Sequence, residues 1–209
     1  MIITNDWTFV HIPRNGGTSL KTSYLEANHD LQLGRDILMH PIERQDLLRP
    51  HEIIDLENMN TFATEFALVN HWESFIPDGS KLFTIVRHPY QRFQSLCRRA
   101  YDLELTDPKE NCLDIDFMLN HEGFGSWKPN NTMKEYLDST TKPITIYKYE
   151  TEYEKAHSDH GLIKRDTLLY QSNDQTNILT PENIVKLNDH YHDDFIEFGY
   201  TKEWQLFIP

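Results

Sequence analysis

The sequence predicts an α/β chain, a three-layer αβα sandwich with a central parallel sheet, and three stretches carry that expectation. An apolar run over residues 7–12 breaks at Pro13-Arg14-Asn15-Gly16-Gly17 and opens a helix at Thr18. A second run, Leu82-Phe83-Thr84-Ile85-Val86, ends at Arg87 and turns through Pro89 into another helix. A third, Ile144-Thr145-Ile146-Tyr147-Lys148-Tyr149-Glu150, reads as a further strand. Parallel strands need a crossover between them, usually a helix, so strand-loop-helix units point to a parallel sheet.

The first helix, over about residues 18–28, presents Leu20, Tyr24 and Ala27 on its inner face. Residues 31–62 are polar and interrupted by Pro41 and Pro50, and are expected to be helices and loops that cover the site. Residues 66–71 form a short apolar run with His71 at its carboxyl end. Ligands of open α/β sheets sit outside the carboxyl ends of strands, so Arg14, His71 and Arg87 are expected to converge there. In the helix after Pro89, Phe93, Leu96, Cys97 and Ala100 fall on one stripe, and Arg92, Ser95, Arg98 and Arg99 on the other side. Residues 102–141 show no long periodicity, and Trp127-Lys128-Pro129-Asn130-Asn131 reads as a generic surface loop or as a loop lying over a substrate. From Pro181 onward Ile184, Leu187, Tyr191, Phe195 and Phe198 recur at helical spacing, with Asp193, Asp194 and Glu197 outward.

A chain of 209 residues suffices for one domain with a substantial core, here residues 1–209. Its 33 acidic and 20 basic residues give a net charge of -13, which argues against a general nucleic-acid binder or a protein held on anionic lipid. Positive charge is instead local. No acidic residue lies between Asp6 and Glu26 or between Asp78 and Asp102, and the second window holds Lys81, Arg87, Arg92, Arg98 and Arg99. Cys97 and Cys112 are the only cysteines, too few for a disulfide framework or a zinc pattern. Reduced thiols, no apolar run near the ~20 residues of a membrane span and a strand beginning at about Trp7 lead to the expectation of a soluble, cytoplasmic protein. His157-x-x-His160 and His190-x-His192 lack further ligands at diagnostic spacing, and are expected to be surface histidines.

A glycine turn that opens a helix aims successive backbone N–H groups at one point, where the helix dipole adds positive charge, and so suits a phosphate or phosphosulfate. The segment His11-Ile12-Pro13-Arg14-Asn15-Gly16-Gly17-Thr18-Ser19-Leu20 and the segment Arg87-His88-Pro89-Tyr90-Gln91-Arg92-Phe93-Gln94-Ser95, in that order, resemble the two motifs of sulfotransferases that use 3'-phosphoadenosine 5'-phosphosulfate. The carbohydrate sulfotransferase-like branch carries an I-P-K-T-G-G-T-S-type loop and an R-x-P-x-x-R-x-x-S-type segment. Residues 144–150 and the Tyr191-x-x-Asp194-Phe195-x-x-Phe198-Gly199-Tyr200 ending also resemble that branch, and the likeness spans roughly residues 7–200.

The resemblance implies a P-loop-NTPase-like sulfotransferase fold and direct in-line transfer of a sulfuryl group to an acceptor hydroxyl, of a carbohydrate in this branch. Adenosine 3',5'-bisphosphate would be released, and no metal is expected. Arg14 would stabilise the bridging oxygen as its bond to sulfur breaks, while Asn15, Gly16, Gly17, Thr18 and Ser19 hold the 5'-phosphate. Most relatives carry lysine at the Arg14 position; tyrosylprotein sulfotransferases carry arginine. A guanidinium is a permanent cation and donates a proton less readily than an ammonium, which points to electrostatic stabilisation. Arg87 and Ser95 stand at the family's spacing for the 3'-phosphate, and an arginine fork on phosphate is a strong charge-assisted contact. Arg92 would touch the cofactor or pair with a carboxylate. His71 is the candidate base, because an imidazole near its ordinary pKa can accept a hydroxyl proton, with His40, His51 and Glu73 as rivals.

Two other readings remain at this level. The strand-loop-helix order also serves nucleotide-dependent kinases, although the Walker pattern is missing because Gly17 is followed by Thr18 and Ser19 without a lysine. A relative that binds the nucleotide or a glycan without transfer would keep the same motifs, since a fold does not guarantee chemistry.

Overall fold

The computed structural model describes residues 2–4, 6–27, 54–55, 61–62, 73, 76–121, 131–138, 140–163 and 177–203. The strand expected over residues 66–71, His40, His51, His71 and most of the segments 31–62 and 127–131 lie outside the described residues. The chain divides into two compact units, Met1–Val86 with Tyr136–Leu169 and Arg87–Glu135 with Tyr170–Pro209.

Among the described residues, the first unit is built on a six-stranded sheet of mixed direction. Its strands are β1 (Ile2–Ile3), β2 (Trp7–Val10), β3 (Ile54–Asp55), β4 (Thr61–Phe62), β5 (Lys81–Val86) and β6 (Ile144–Lys148), in the spatial order β3-β4-β1-β2-β5-β6. The parallel part is β2, β5 and β6, with Val10 opposite Thr84 and Ile85 opposite Tyr147. The other pairings, β1 with β2, β1 with β4 and β3 with β4, are antiparallel, so the wholly parallel sheet expected from the sequence holds for only half of the strands. A tight turn explains the reversal at β1. The Thr4 hydroxyl donates to the Trp7 carbonyl at 2.7 Å, and the Trp7 and Thr4 amides donate to the Thr4 hydroxyl and the Trp7 carbonyl, each at 3.0 Å.

Alternation along the strands gives each sheet face its own core. Phe9, Phe83, Ile85 and Tyr147 point to one face with Leu20 and Tyr24 of helix α1 (Gly17–Ala27). Tyr153 and Ala156 of a later helix, Tyr149–Ser158, join the same cluster. Val10 and Leu82 point to the other face, with Ile3 and Ile76. Strand β6 ends at Lys148, two residues earlier than expected, and Tyr149 starts a helix in which Glu152 reaches back to accept from the Lys148 amide at 3.0 Å. The inner face of that helix includes His157, only 1% exposed, whose Nδ1 lies 2.9 Å from the Tyr153 carbonyl. His160 is half-buried and stacks on Phe83 with ring centroids 3.6 Å apart. The pair expected at the surface is thus packed, because the strand-helix junction turns residues 153, 156 and 157 onto the sheet.

The second unit is helical. Its long element, α2 (Pro89–Asp102), starts at a proline, which suits a first-turn position without an intrahelical N–H bond. A 3₁₀ turn (Lys109–Leu113) and α3 (Ile115–Asn120) follow, the latter capped by Asp114, which accepts from the Phe117 amide at 2.9 Å. Helix α4 (Met133–Leu137) begins in this unit, and the Tyr149–Ser158 helix of the first unit is α5. The second unit closes with α6 (Pro181–His190) and α7 (His192–Glu197), so the single closing helix expected from Pro181 is two helices that meet at Tyr191.

The apolar stripe of α2 is as the periodicity predicts: Phe93, Leu96, Cys97 and Ala100 are fully buried. Arg92 and Asp194, both expected to face outward, are fully buried as well. The reason is a polar arrangement inside the unit. Asp194 accepts from the Met133 and Lys134 amides, each at 2.8 Å, and so caps α4. Arg92 donates from Nη1 to the Asn131 carbonyl at 3.0 Å, and its guanidinium lies 5.9 Å from the Tyr191 ring centroid. Burial raises the Asp194 pKa, while Arg92 and the two amides pull it back down. Among the described residues no helix is long and apolar enough to cross a membrane.

Two outcomes follow for stability. Asp194→Ala leaves the buried Met133 amide and the half-buried Lys134 amide of α4 without their acceptor and should cost about 2–3 kcal/mol in urea unfolding, with Asp194→Asn costing less because one acceptor remains. In the first unit, His11 and His160 are both held below the ordinary histidine range of 6.5, chiefly by burial. A folded pKa lowered in this way adds stability that is complete above the unfolded value and is lost as pH falls through the folded one. Melting temperature should therefore drop on acidification below about pH 6.5, and less steeply in His160→Phe, which keeps a ring on Phe83; parallel slopes would remove His160 from the cause.

Candidate functional site

The turn between β2 and α1 is tightly constrained backbone. Arg14 has φ 66° and Gly16 φ 85°, so the chain passes through left-handed geometry twice in three residues. For arginine that conformation carries a cost of order 1–3 kcal/mol, which only firm surroundings can hold. Those surroundings are on three sides of the turn.

On one side, Asn15 is 1% exposed and donates from Nδ2 to the Ile85 carbonyl at 2.9 Å, tying the turn to the carboxyl end of β5. One residue earlier in that strand, the Thr84 hydroxyl donates to the Val10 carbonyl at 2.9 Å, locking the ends of β2 and β5 together. On the second side, the His11 imidazole lies against Gly17: a Cβ there would stand 2.1 Å from His11 Cδ2 and 2.3 Å from Nε2. His11 stacks on Phe9 at 5.6 Å, and burial, with the nearby charges of Lys21 and Arg14, keeps its pKa well below the usual range. A neutral ring can pack this closely beside two cations; an imidazolium would repel them. On the third side, a Cβ on Gly16 would meet Tyr153 Cε2 at 2.7 Å and Tyr149 Cε2 at 2.8 Å.

The turn then opens α1. Leu20 donates from its amide to the Gly16 carbonyl at 3.4 Å, which makes Gly16 the residue before the first helical turn. The amides of Gly17, Thr18 and Ser19 precede the first intrahelical donor, so they are the group of N–H donors that an anion can take. Thr18 is half-buried and Ser19 is 8% exposed. No Cβ fits at either glycine, because the rings of His11, Tyr149 and Tyr153 already fill the space.

In the second unit the segment that starts with Arg87 is equally ordered. Arg87 is half-exposed; its Nε donates to Gln91 Oε1 at 3.4 Å, and its amide donates to Met133 Sδ at 3.5 Å. His88 is 5% exposed and packs against Tyr90, Phe195 and Tyr200 at 5.0, 5.6 and 5.1 Å, with Nε2 3.1 Å from the Thr201 carbonyl. The Tyr90 hydroxyl donates to Asn188 Oδ1 at 2.5 Å. Residues 188–202 thus wrap the start of α2 through His88 and Tyr90. Ser95 is half-buried two turns along α2 from Arg87. Ile85, which carries the bond from Asn15, stands only two residues before Arg87 in the chain.

Comparison with family models, curated proteins and solved structures returned no match.

Of the residues singled out from sequence, Arg14, Asn15, Gly16, Gly17, Thr18 and Ser19 lie on one turn at the carboxyl end of β2. Within this group Asn15 spends its amide on Ile85, and its burial makes it a pin for the turn. Arg92, the residue expected either on the cofactor or beside a carboxylate, is fully buried and acts on Asp194. Glu73, a rival for the base, accepts from the Thr140 hydroxyl at 2.7 Å. His71 lies outside the described residues. Sequence reasoning missed Tyr153, Thr84 and Asp194, whose partners are far away in the chain; the crowding of two glycines was the only local signal that neighbours approach closely.

Gly17→Ala has no room beside His11 and should cost about 1–3 kcal/mol of stability. Removing the ring should relieve that clash, so the double variant Gly17→Ala, His11→Ala should lose clearly less than the two single losses added, as measured by urea unfolding in a double-mutant cycle.

Proposed function

We propose that this chain is a sulfotransferase that moves the sulfuryl group of 3'-phosphoadenosine 5'-phosphosulfate to an acceptor hydroxyl, with a carbohydrate as the acceptor class and a P-loop-like αβα core as its scaffold. The observation that carries the reading is the glycine turn: Gly16 packed on Tyr153 and Tyr149, Gly17 packed on a buried neutral His11, and three helix-opening amides close after Arg14 in the chain. Helix-opening amides of this kind suit a phosphate, and the helix dipole adds to their positive potential. The second support is chain order. The turn is bonded to Ile85, and Arg87 follows two residues later with Ser95 at the eight-residue spacing of the resemblance.

In this reading the 5'-phosphate sits on the amides of Gly17 to Ser19 and the hydroxyls of Thr18 and Ser19, while Arg87 and Ser95 take the 3'-phosphate. The acceptor oxygen attacks sulfur in line. The bond from sulfur to the bridging oxygen breaks, the new sulfur–oxygen bond forms, and the acceptor proton passes to a base, His71. Arg14 stabilises the negative charge that develops on the leaving phosphate. Such transfer needs no covalent enzyme intermediate, so its barrier is lowered by placement and electrostatics.

Arg87→Ala should weaken binding of adenosine 3',5'-bisphosphate by tenfold or more in calorimetry, a loss of one charge-assisted phosphate contact. Unchanged affinity would remove the 3'-phosphate assignment, and magnesium-dependent preference for ATP would favour a kinase. His71→Ala should leave the bisphosphate affinity intact and abolish transfer of labelled sulfate across a panel of sugars, phenols and peptides. Binding without transfer in the unaltered protein would indicate a non-catalytic relative.

A further inference from the structure

We propose that Tyr153 is a positioning residue that aims the amides of the glycine turn at the 5'-phosphate end of the nucleotide; this rests on the nucleotide reading above. Tyr153 stands on α5, 137 positions along the chain from Gly16, and its hydroxyl donates to the Gly16 carbonyl at 2.9 Å. The same carbonyl accepts the first helical bond of α1 from Leu20 at 3.4 Å. Two donors therefore fix the direction of one carbonyl. A trans peptide unit is planar and its N–H points opposite to its C=O, so holding the Gly16 carbonyl toward Tyr153 and α1 turns the Gly17 amide out of the open end of the helix.

The remaining contacts make this hold specific. The Tyr153 and Tyr149 rings lie 4.9 Å apart and both touch the space where a Gly16 side chain would be, so the glycine at φ 85° cannot swing toward α5. Ser19, which supplies the third amide and a hydroxyl, also interacts with the Tyr153 hydroxyl. Burial pushes the Tyr153 pKa up to about 12, so its hydroxyl remains a donor throughout the working range. A phenol that never ionises adds no negative charge to a site meant for an anion. The helix α5 thus takes part in anion recognition without touching the anion, through one hydrogen bond to a backbone carbonyl.

The variant Tyr153→Phe removes the hydroxyl and keeps the ring on Gly16. Calorimetry with two probes reads the effect: adenosine 3',5'-bisphosphate, which carries both phosphates, and adenosine 3'-monophosphate, which lacks the 5' group. The variant should bind the bisphosphate about five- to tenfold more weakly and the monophosphate as the unaltered protein does. Equal weakening of both probes would mean general damage, and no weakening would mean that the bond has no part in recognition; either result overturns the assignment while leaving the nucleotide reading in place. If the unaltered protein fails to prefer the bisphosphate, the reading and the assignment fall together.

Discussion

The pairing of β2 with β5 is the constraint on which the rest of the first unit depends. Parallel register brings Val10 beside Thr84, and the Thr84 hydroxyl adds a side-chain bond across the carboxyl ends of the two strands. Only because those ends coincide can Asn15 reach the Ile85 carbonyl and hold a turn that includes an arginine in left-handed geometry. The turn in turn sets where α1 begins and which amides it leaves open. A slip of one residue would place Phe9 and Phe83 on the wrong face, so hydrophobic burial protects the register and, through it, the turn.

The second unit solves a similar problem with buried polar groups. His88, Arg92 and Asp194 lie in its interior, where an unpaired charge would be expensive, and each is given partners from distant segments. Asp194 closes the start of α4, Arg92 holds the carbonyl of Asn131, and aromatic rings of the chain ending enclose His88. The consequence is that the backbone around Arg87 is supported by buried polar groups from distant segments. Arg92 and Asp194 thereby have a structural role within the unit.

The legible parts of the molecule were those written in local periodicity. Strands β2 and β5 stood out as apolar runs, the buried stripe of α2 followed from angles alone, and the glycine turn announced a strand-to-helix passage. The residues that escaped were those whose environment is made by remote partners. Strand β1 has two residues, too few for any alternation to be read, and it reverses the sheet direction through a turn held by Thr4. Asp194 looks like a surface carboxylate beside Asp193, and only the arrival of α4 makes it a buried cap. His157 falls on an inner face because β6 stops at Lys148, an end point decided by Glu152 folding back on the Lys148 amide. For the site, the turn was readable and its supports were not, since Tyr153 and Ile85 lie far from it in sequence.

The order in which the chain visits its two units has a further consequence. Each unit is made of two stretches, and the backbone passes from one unit to the other after Val86, after Glu135 and after Leu169. A fragment ending at Val86 would carry the whole turn but lack β6 and the tyrosine that holds Gly16, so it is an incomplete module. During synthesis from the amino terminus, the turn emerges more than a hundred residues ahead of its last support, and its final geometry must wait until α5 has left the ribosome.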